Sequence, residues 1–220
     1  MAQAPLLDTI WVRWDWVGSH AGVILGDLAQ HVELTVIAVG VGLLLAIPIG
    51  VLAWRYRGTR GPVLGLTGGL YTIPSLALFA LLVPWTGLTV LTAEIGLVAY
   101  TLLILVRNIV VGLDGVPPDV RDAAAGMGYR PVRQLLQVEL PLALPVIVAG
   151  LRIATVTTIG LVTITALIGQ GGLGQLLLDG LQRDFRTPLV VGSALSVGLA
   201  IVADVLLATT QRVLTPWRSA

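Results

Sequence analysis

The sequence contains no cysteine and no lysine. Without cysteine, disulfides, thiolate nucleophiles and sulfur-ligated metal centres are excluded. Without lysine, all thirteen basic residues are arginines. Charge of either sign is scarce, at 11% of residues against about 25% in an ordinary soluble domain. Histidine is confined to His20 and His31, eleven positions apart with no acidic partner at ligand spacing, which speaks against a metal site. No basic stretch followed by an apolar core opens the chain. Its first twenty residues hold Arg13, Asp15 and three tryptophans, so no cleaved secretory signal is expected. Nor do a nucleophile, a base and an orienting residue form a catalytic set, and the His-Glu pair of helical zinc enzymes is missing.

What the chain has in abundance is apolar surface. Hydrophobic residues make up 56% of it, in long uncharged runs of the kind that cross a hydrocarbon layer about 30 Å thick with about 20 helical residues. Five runs read as spans: His31 to Ala53, Gly61 to Val83, Ala93 to Val106 or a little beyond, the stretch after Pro141 to Ile168, and Leu189 to Ala208. The second contains Pro74 within Tyr71-Thr72-Ile73-Pro74-Ser75, and a proline there removes a backbone hydrogen bond and crowds the preceding turn, so that helix should kink or break. Between spans three and four, the stretch from Asp114 to Glu139 is too charged to cross a membrane. The fold class read from this pattern is an all-α integral membrane protein.

Arginines in short loops stay in the cytoplasm. With an odd number of spans and the N-terminus outside, Arg55, Arg57, Arg60, Arg107, Arg121, Arg130, Arg133, Arg212 and Arg218 fall on the inner side, while Arg13, Arg183 and Arg186 fall outside. Nine against three orients the chain with its N-terminus out, its C-terminus in, and the Asp114 to Glu139 segment in the cytosol. Residues 1–28 read as an N-terminal interfacial segment, in which Trp11, Trp14 and Trp16 suit either a surface-lying stretch over residues 8–20 or a loosely ordered tail. Residues 29–212 read as the transmembrane domain, with a coupling segment at 114–140, and residues 213–220 as a cytosolic tail.

In the cytosolic segment, Gly115-Val116-Pro117-Pro118-Asp119 leads into a short helix, since proline suits a first turn and Asp119 complements the helix dipole. Val120, Ala123, Ala124 and Met127 recur at helical spacing and suggest one narrow face of small side chains. Gly126 and Gly128 should end the helix, and Pro131 should start another with Val132, Leu135 and Leu136 turned inward, making a compact knob. Asp122-Ala123-Ala124, three residues, Gly128, nine residues, then Val138-Glu139-Leu140-Pro141 resembles the EAA motif of ABC importer permeases, with Asp for Glu and Val for Ile. The resemblance implies the type I importer permease fold and makes the knob a coupling helix, with Asp122, Ala123, Ala124, Gly128, Val138, Leu140 and Pro141 as the residues that dock on a cytosolic ATPase.

A second resemblance is narrower. Tyr71-Thr72-Ile73-Pro74-Ser75-Leu76-Ala77, Val106-Arg107-Asn108, Glu139-Leu140-Pro141-Leu142-Ala143-Leu144-Pro145 and Ala166-Leu167-Ile168-Gly169-Gln170-Gly171-Gly172-Leu173-Gly174 resemble the glycine betaine, carnitine and choline importer permeases over roughly residues 30 to 210. This implies a multi-pass subunit of a bacterial inner membrane, importing osmoprotectants together with an ATPase pair, a solute-binding protein and a second permease subunit, identical or paralogous. It implies no cofactor on this chain, with ATP and Mg on the ATPase. Tyr71, Pro74, Ser75, Tyr100 and Asn108 are the candidate translocation-path residues, with Tyr71, Trp85 and Tyr100 the aromatic faces that a quaternary ammonium group would meet by cation–π attraction. Each has a plainer reading as helix packing or interfacial belt. Gly169, Gly171, Gly172 and Gly174 form either a flexible outer junction or a helix terminator; lacking the lysine and hydroxyl of a P-loop, they are not a phosphate cradle. Arg152, isolated in span four, should snorkel or pair within the bundle, as internal ion pair or partner contact ahead of solute contact. Competing readings are a permease for methionine or another small polar solute, an intramembrane enzyme built on Glu94, Arg107 and Arg152, and a membrane scaffold.

Overall fold

The computed structural model describes residues 11–216, and among them every regular element is helical. Arg218, residues 1–10 of the N-terminal segment and residues 217–220 of the tail lie outside the described residues. Helix α1 (Trp14–Ser19) is short, and α2 (Ala21–Arg55) is the longest single helix. Its 35 residues span about 52 Å at about 1.5 Å per residue, well beyond a hydrocarbon core of about 30 Å. The helix therefore starts ten residues before the apolar run that marks the first span at His31. Apolarity reports where lipid begins, whereas the helix continues until its packing stops, here with Ile24 against Leu173 and Leu176.

The second span is two helices. α3 (Arg57–Thr72) and α4 (Ser75–Thr86) meet at an angle of 94°, so the stretch from Gly61 to Val83 is not one straight helix. Ile73 takes an extended conformation (φ −68°, ψ 126°), as a residue preceding proline prefers. The exposed chain ends are satisfied locally. The Thr72 hydroxyl donates to the Gly69 carbonyl at 2.7 Å, and the Tyr100 hydroxyl donates to the Ile73 carbonyl.

Helix α5 (Val90–Asp114) runs past Arg107 and Asn108, two turns beyond the span boundary read at Val106. Its Thr89 cap accepts a hydrogen bond from the Thr92 amide at 3.4 Å. After α6 (Pro118–Gly126) and α7 (Pro131–Gln134), a π-helical turn over Leu135–Glu139 feeds directly into α8 (Leu140–Ile164), close to the start read from the sequence. A 3-10 turn (Thr165–Ile168), α9 (Leu173–Gln182) and α10 (Arg186–Leu214) complete the chain, the last reaching past the boundary drawn at residue 212.

Helices α2, α5 and α8 form the centre. Towards the arginine-rich end, Ala46, Leu105, Val106, Ile109, Leu113, Ala143 and Ala154 make one buried cluster; towards the other, Leu34, Ala38, Phe79, Ala93, Leu97, Val162 and Ile168 make a second. Small residues let the backbones approach where lipid offers no hydrophobic gain for helix association. A Cβ at Gly42 would sit 2.0 Å from the Thr101 hydroxyl oxygen, and one at Gly50 would sit 2.7 Å from the Ile109 side chain, so α5 packs directly on the α2 backbone. By contrast α10 buries only Thr187, Pro188 and Gly192 and leaves Val197, Ile201, Val202, Val205 and Leu206 exposed.

Candidate functional site

At the arginine-rich end the chain builds a small projecting knob. Pro117 and Pro118 set the start of α6, and Gly128 reverses the chain with φ +82°, a left-handed conformation that a side chain at this position resists. The Tyr129 amide reaches back to the Ala124 carbonyl at 3.1 Å, and Pro131 opens α7. The expected apolar face is divided. Ala124 is 1% exposed and packs inward, while Met127 is 70% exposed and Ala123 and Asp122 also face out. Val132 and Leu136, read as inward-facing, are both exposed, with only Leu135 half-buried. For Leu136 the π-helical turn is the cause: it widens the helix after Gln134, and Glu139 takes the buried position instead.

Glu139 is the anchor that the sequence reading quoted but did not assign. Its carboxylate accepts from the Gln134 amide at 3.1 Å and lies 3.4 Å from the Arg121 Nε. Arg121 in turn donates to the Leu113 carbonyl at the end of α5 and stacks over the Trp54 ring at 5.4 Å from its centroid. One guanidinium thus ties the knob to the ends of α2, α5 and α8 at once, beside a cavity of about 480 Å³ bounded by Val51, Trp54, Arg121, Leu135 and Glu139. Arg60 and Asp114, 2.7 Å apart, add a second tie between α3 and α5. An acidic residue two positions before the closing proline of the motif, with an arginine eighteen residues earlier, was the available signal. Val138, Leu140 and Pro141 are half-buried where this turn becomes α8.

The candidate path residues do not form one group. Tyr71 is exposed beside the helix break, with the buried Tyr100 ring edge-on to it at 5.6 Å; Pro74 is exposed and Ser75 half-buried. Asn108 lies elsewhere, half-buried between α5 and α8: its amide donates to the Ile104 carbonyl at 2.7 Å, and it packs where a Cβ at Gly150 would come within 2.4 Å of its own Cβ. Trp85 is exposed at the end of α4, apart from both tyrosines.

The glycine-rich junction is closely packed. Gly172 (φ +48°) receives the Gln30 side-chain oxygen on its amide at 3.0 Å, and any Cβ there would lie 2.7 Å from His31. A Cβ at Gly174 would meet the Thr163 carbonyl at 2.3 Å, and one at Gly171 the Ala166 Cβ at 2.3 Å, whereas Gly169 (φ +78°) faces open space. His31 itself is fully buried, its Nε2 3.0 Å from the Ile159 carbonyl. Near this end, Trp16 stacks on His20 at 4.3 Å and meets Phe185 edge-on, and the Arg13 amide donates to Thr187 at 3.0 Å, so residues 11–20 rest against the start of α10.

The polar centres of the enzyme reading stay apart. Glu94 and Arg107 are thirteen positions apart on α5, about 20 Å along the helix at about 1.5 Å per residue. Arg152 pairs with Asp204 of α10 through two hydrogen bonds of 2.8 Å each. Asp204 went unassigned in the sequence reading. Its signal was a lone carboxylate in an apolar run, matching the lone arginine of the preceding span. Among the described residues no three metal-capable side chains converge.

Comparison with known proteins places this geometry. Residues 38–215 match the family described as the binding-protein-dependent transport system inner membrane component. The osmoprotectant import permease protein OsmW of Salmonella typhimurium is 42% identical over 215 residues, covering 96% of this chain and 98% of that protein. The choline transport system permease protein OpuBB of Bacillus subtilis is 37% identical over 199 residues, covering 90% of this chain and 91% of that protein. Among solved structures, two inward-facing forms of the MetNI methionine ABC transporter align with TM-scores of 0.78 and 0.80 at 22% and 20% identity, each covering 90% of this chain and 98% of theirs.

Proposed function

The chain belongs to the binding-protein-dependent transport system inner membrane component family, and from that premise we propose that it carries osmoprotectants inward, with glycine betaine, choline and carnitine as the solute class. It is a multi-pass inner-membrane permease of an ABC importer, with no catalytic role of its own: ATP is hydrolysed on a separate subunit, and a solute-binding protein delivers the cargo. The observation that carries the solute class is the similarity to osmoprotectant and choline permeases over nine-tenths of the chain or more. Likeness to the methionine transporter, at 22% identity, speaks for the fold alone.

The knob formed by α6, Gly128 and α7 is the coupling element, docking in a groove of the ATPase, which holds ATP and Mg. Its orientation supports this role. Asp122, Ala123 and Met127 point away from the bundle, while Arg121 and Glu139 lock the knob to three spans, so a displacement of the knob moves α2, α5 and α8 together. The knob and the arginine-rich end face the cytosol. A second permease subunit, identical or paralogous, completes the path, because α10 and much of α2 are left without a covering element.

The test is ATP-driven uptake of labelled glycine betaine into vesicles holding the whole importer, challenged with choline and with methionine. Competition by choline and not by methionine is the expected result; betaine exclusion with an active ATPase discards the solute class. Within the same vesicles Ala123→Trp and Gly128→Val should assemble in the membrane yet reduce uptake at least about tenfold, by obstructing docking and by straining the turn respectively. Ala124→Trp is a poor probe, since Ala124 is buried within the chain and its enlargement disturbs folding.

A further inference from the structure

The ion pair of Arg152 and Asp204 sits at a depth where charge is expensive. Arg152 is twelve residues into the chain from the start of α8, and Asp204 is ten residues before the end of α10. At about 1.5 Å per residue these are about 18 Å and 15 Å from the helix ends, and Asp204 lies four residues, about 6 Å, inside the apolar run that ends at Ala208, so the pair sits within the inner half of a hydrocarbon core of about 30 Å. The pair is geometrically closed, with both hydrogen bonds at 2.8 Å, yet the two side chains remain 32% and 38% exposed. The exposed edge opens on a shallow surface groove of about 480 Å³ bounded by Ala149, Ile153, Val156 and Thr157. A charge at this depth that keeps a third of its surface open faces water or protein rather than acyl chains.

We propose that the α8–α10 face carrying this pair is a wall of the translocation path, and that the pair receives the two charged ends of a zwitterionic solute in transit. Asp204 takes the ammonium end and Arg152 the carboxylate. In the unloaded path each charge neutralises the other, which keeps the wall from holding an isolated ion; a zwitterion presents the same two charges and exchanges with the pair at little net electrostatic cost. The identity of the solute rests on the osmoprotectant reading, whereas the position of the wall does not.

The absence of cysteine makes the test direct. Single-cysteine variants Thr157→Cys and, where that fails to assemble, Val156→Cys are prepared in the complete importer, with Gln182→Cys, at the exposed end of α9, as an aqueous reference and buried Val162→Cys as an inaccessible one. Each is treated with a trimethylammonium-bearing methanethiosulfonate and with its anionic sulfonate counterpart. The wall predicts labelling at position 157 within about tenfold of Gln182→Cys, slowed by excess glycine betaine. Adding Asp204→Asn should slow the cationic reagent and speed the anionic one about tenfold, with the opposite sign for Arg152→Gln. Labelling as slow as at Val162→Cys overturns the wall whatever the solute. Rapid labelling unaffected by betaine, choline or methionine overturns the solute contact. Protection by methionine in place of betaine keeps the wall and discards the osmoprotectant reading.

Discussion

Tyr100 shows how one hydroxyl can hold a helix break open inside a membrane. The Pro74 break frees the Ile73 carbonyl, and lipid offers no donor for it, so the Tyr100 hydroxyl supplies one from α5. Tyr100→Phe keeps the ring against Tyr71 but orphans that carbonyl. The expected cost is about 1–3 kcal/mol, read as a lower thermal midpoint by tryptophan fluorescence of the detergent-solubilised protein; an unchanged midpoint would mean that another donor takes over. At this scale the sequence was legible in type and blind in direction. Pro74 and Gly128 announce their backbone consequences wherever they stand, because a missing N–H or a missing Cβ acts locally. Ala123 and Ala124 are chemically identical and adjacent, and only the packing of α6 on the bundle turns one outward and the other in.

Between elements, the Arg152–Asp204 pair joins α8 to α10, a helix that otherwise buries little. Asp204→Leu leaves a lone arginine at membrane depth, at a cost of about 2.5–3.5 kcal/mol on insertion scales. Replacing both, Arg152→Leu with Asp204→Leu, should recover most of that stability, since an apolar pair often equals an ionic one. Thermal midpoints of the two variants measure this. A double variant that is stable but inactive separates the pair's transport role from its structural one, and a double variant as unstable as the single one would show that the ions themselves hold α10 in place. The four long apolar helices and the bent α3–α4 pair were readable as apolar runs because twenty apolar residues have no other solvent. Their ends were not: α2 and α5 extend well past the hydrocarbon, since helices end where caps and contacts end. The break at Pro74 was expected, but its right angle was not, because the angle is decided by where α4 packs its Phe79 against Gly96.

For the whole molecule, the charge distribution orients the bundle. In intact spheroplasts an impermeant thiol reagent should label Gln182→Cys, at the exposed end of α9, and should label Met127→Cys only after permeabilisation. The reverse pattern would invert the topology and place the knob out of reach of any cytosolic ATPase. The motif spacing, the arginine count and the apolar runs are one-dimensional quantities, so the membrane class, the order of apolar segments and the position of the knob follow from the order of residues alone. What had to wait for the tertiary structure are relations between distant positions: Arg121 against Glu139 and Trp54, Gly172 against His31, Arg152 against Asp204. Each depends on which face of one helix meets which face of another, and in a chain this uniformly apolar no pattern of hydrophobicity distinguishes a helix face turned to lipid from one turned to a neighbouring helix.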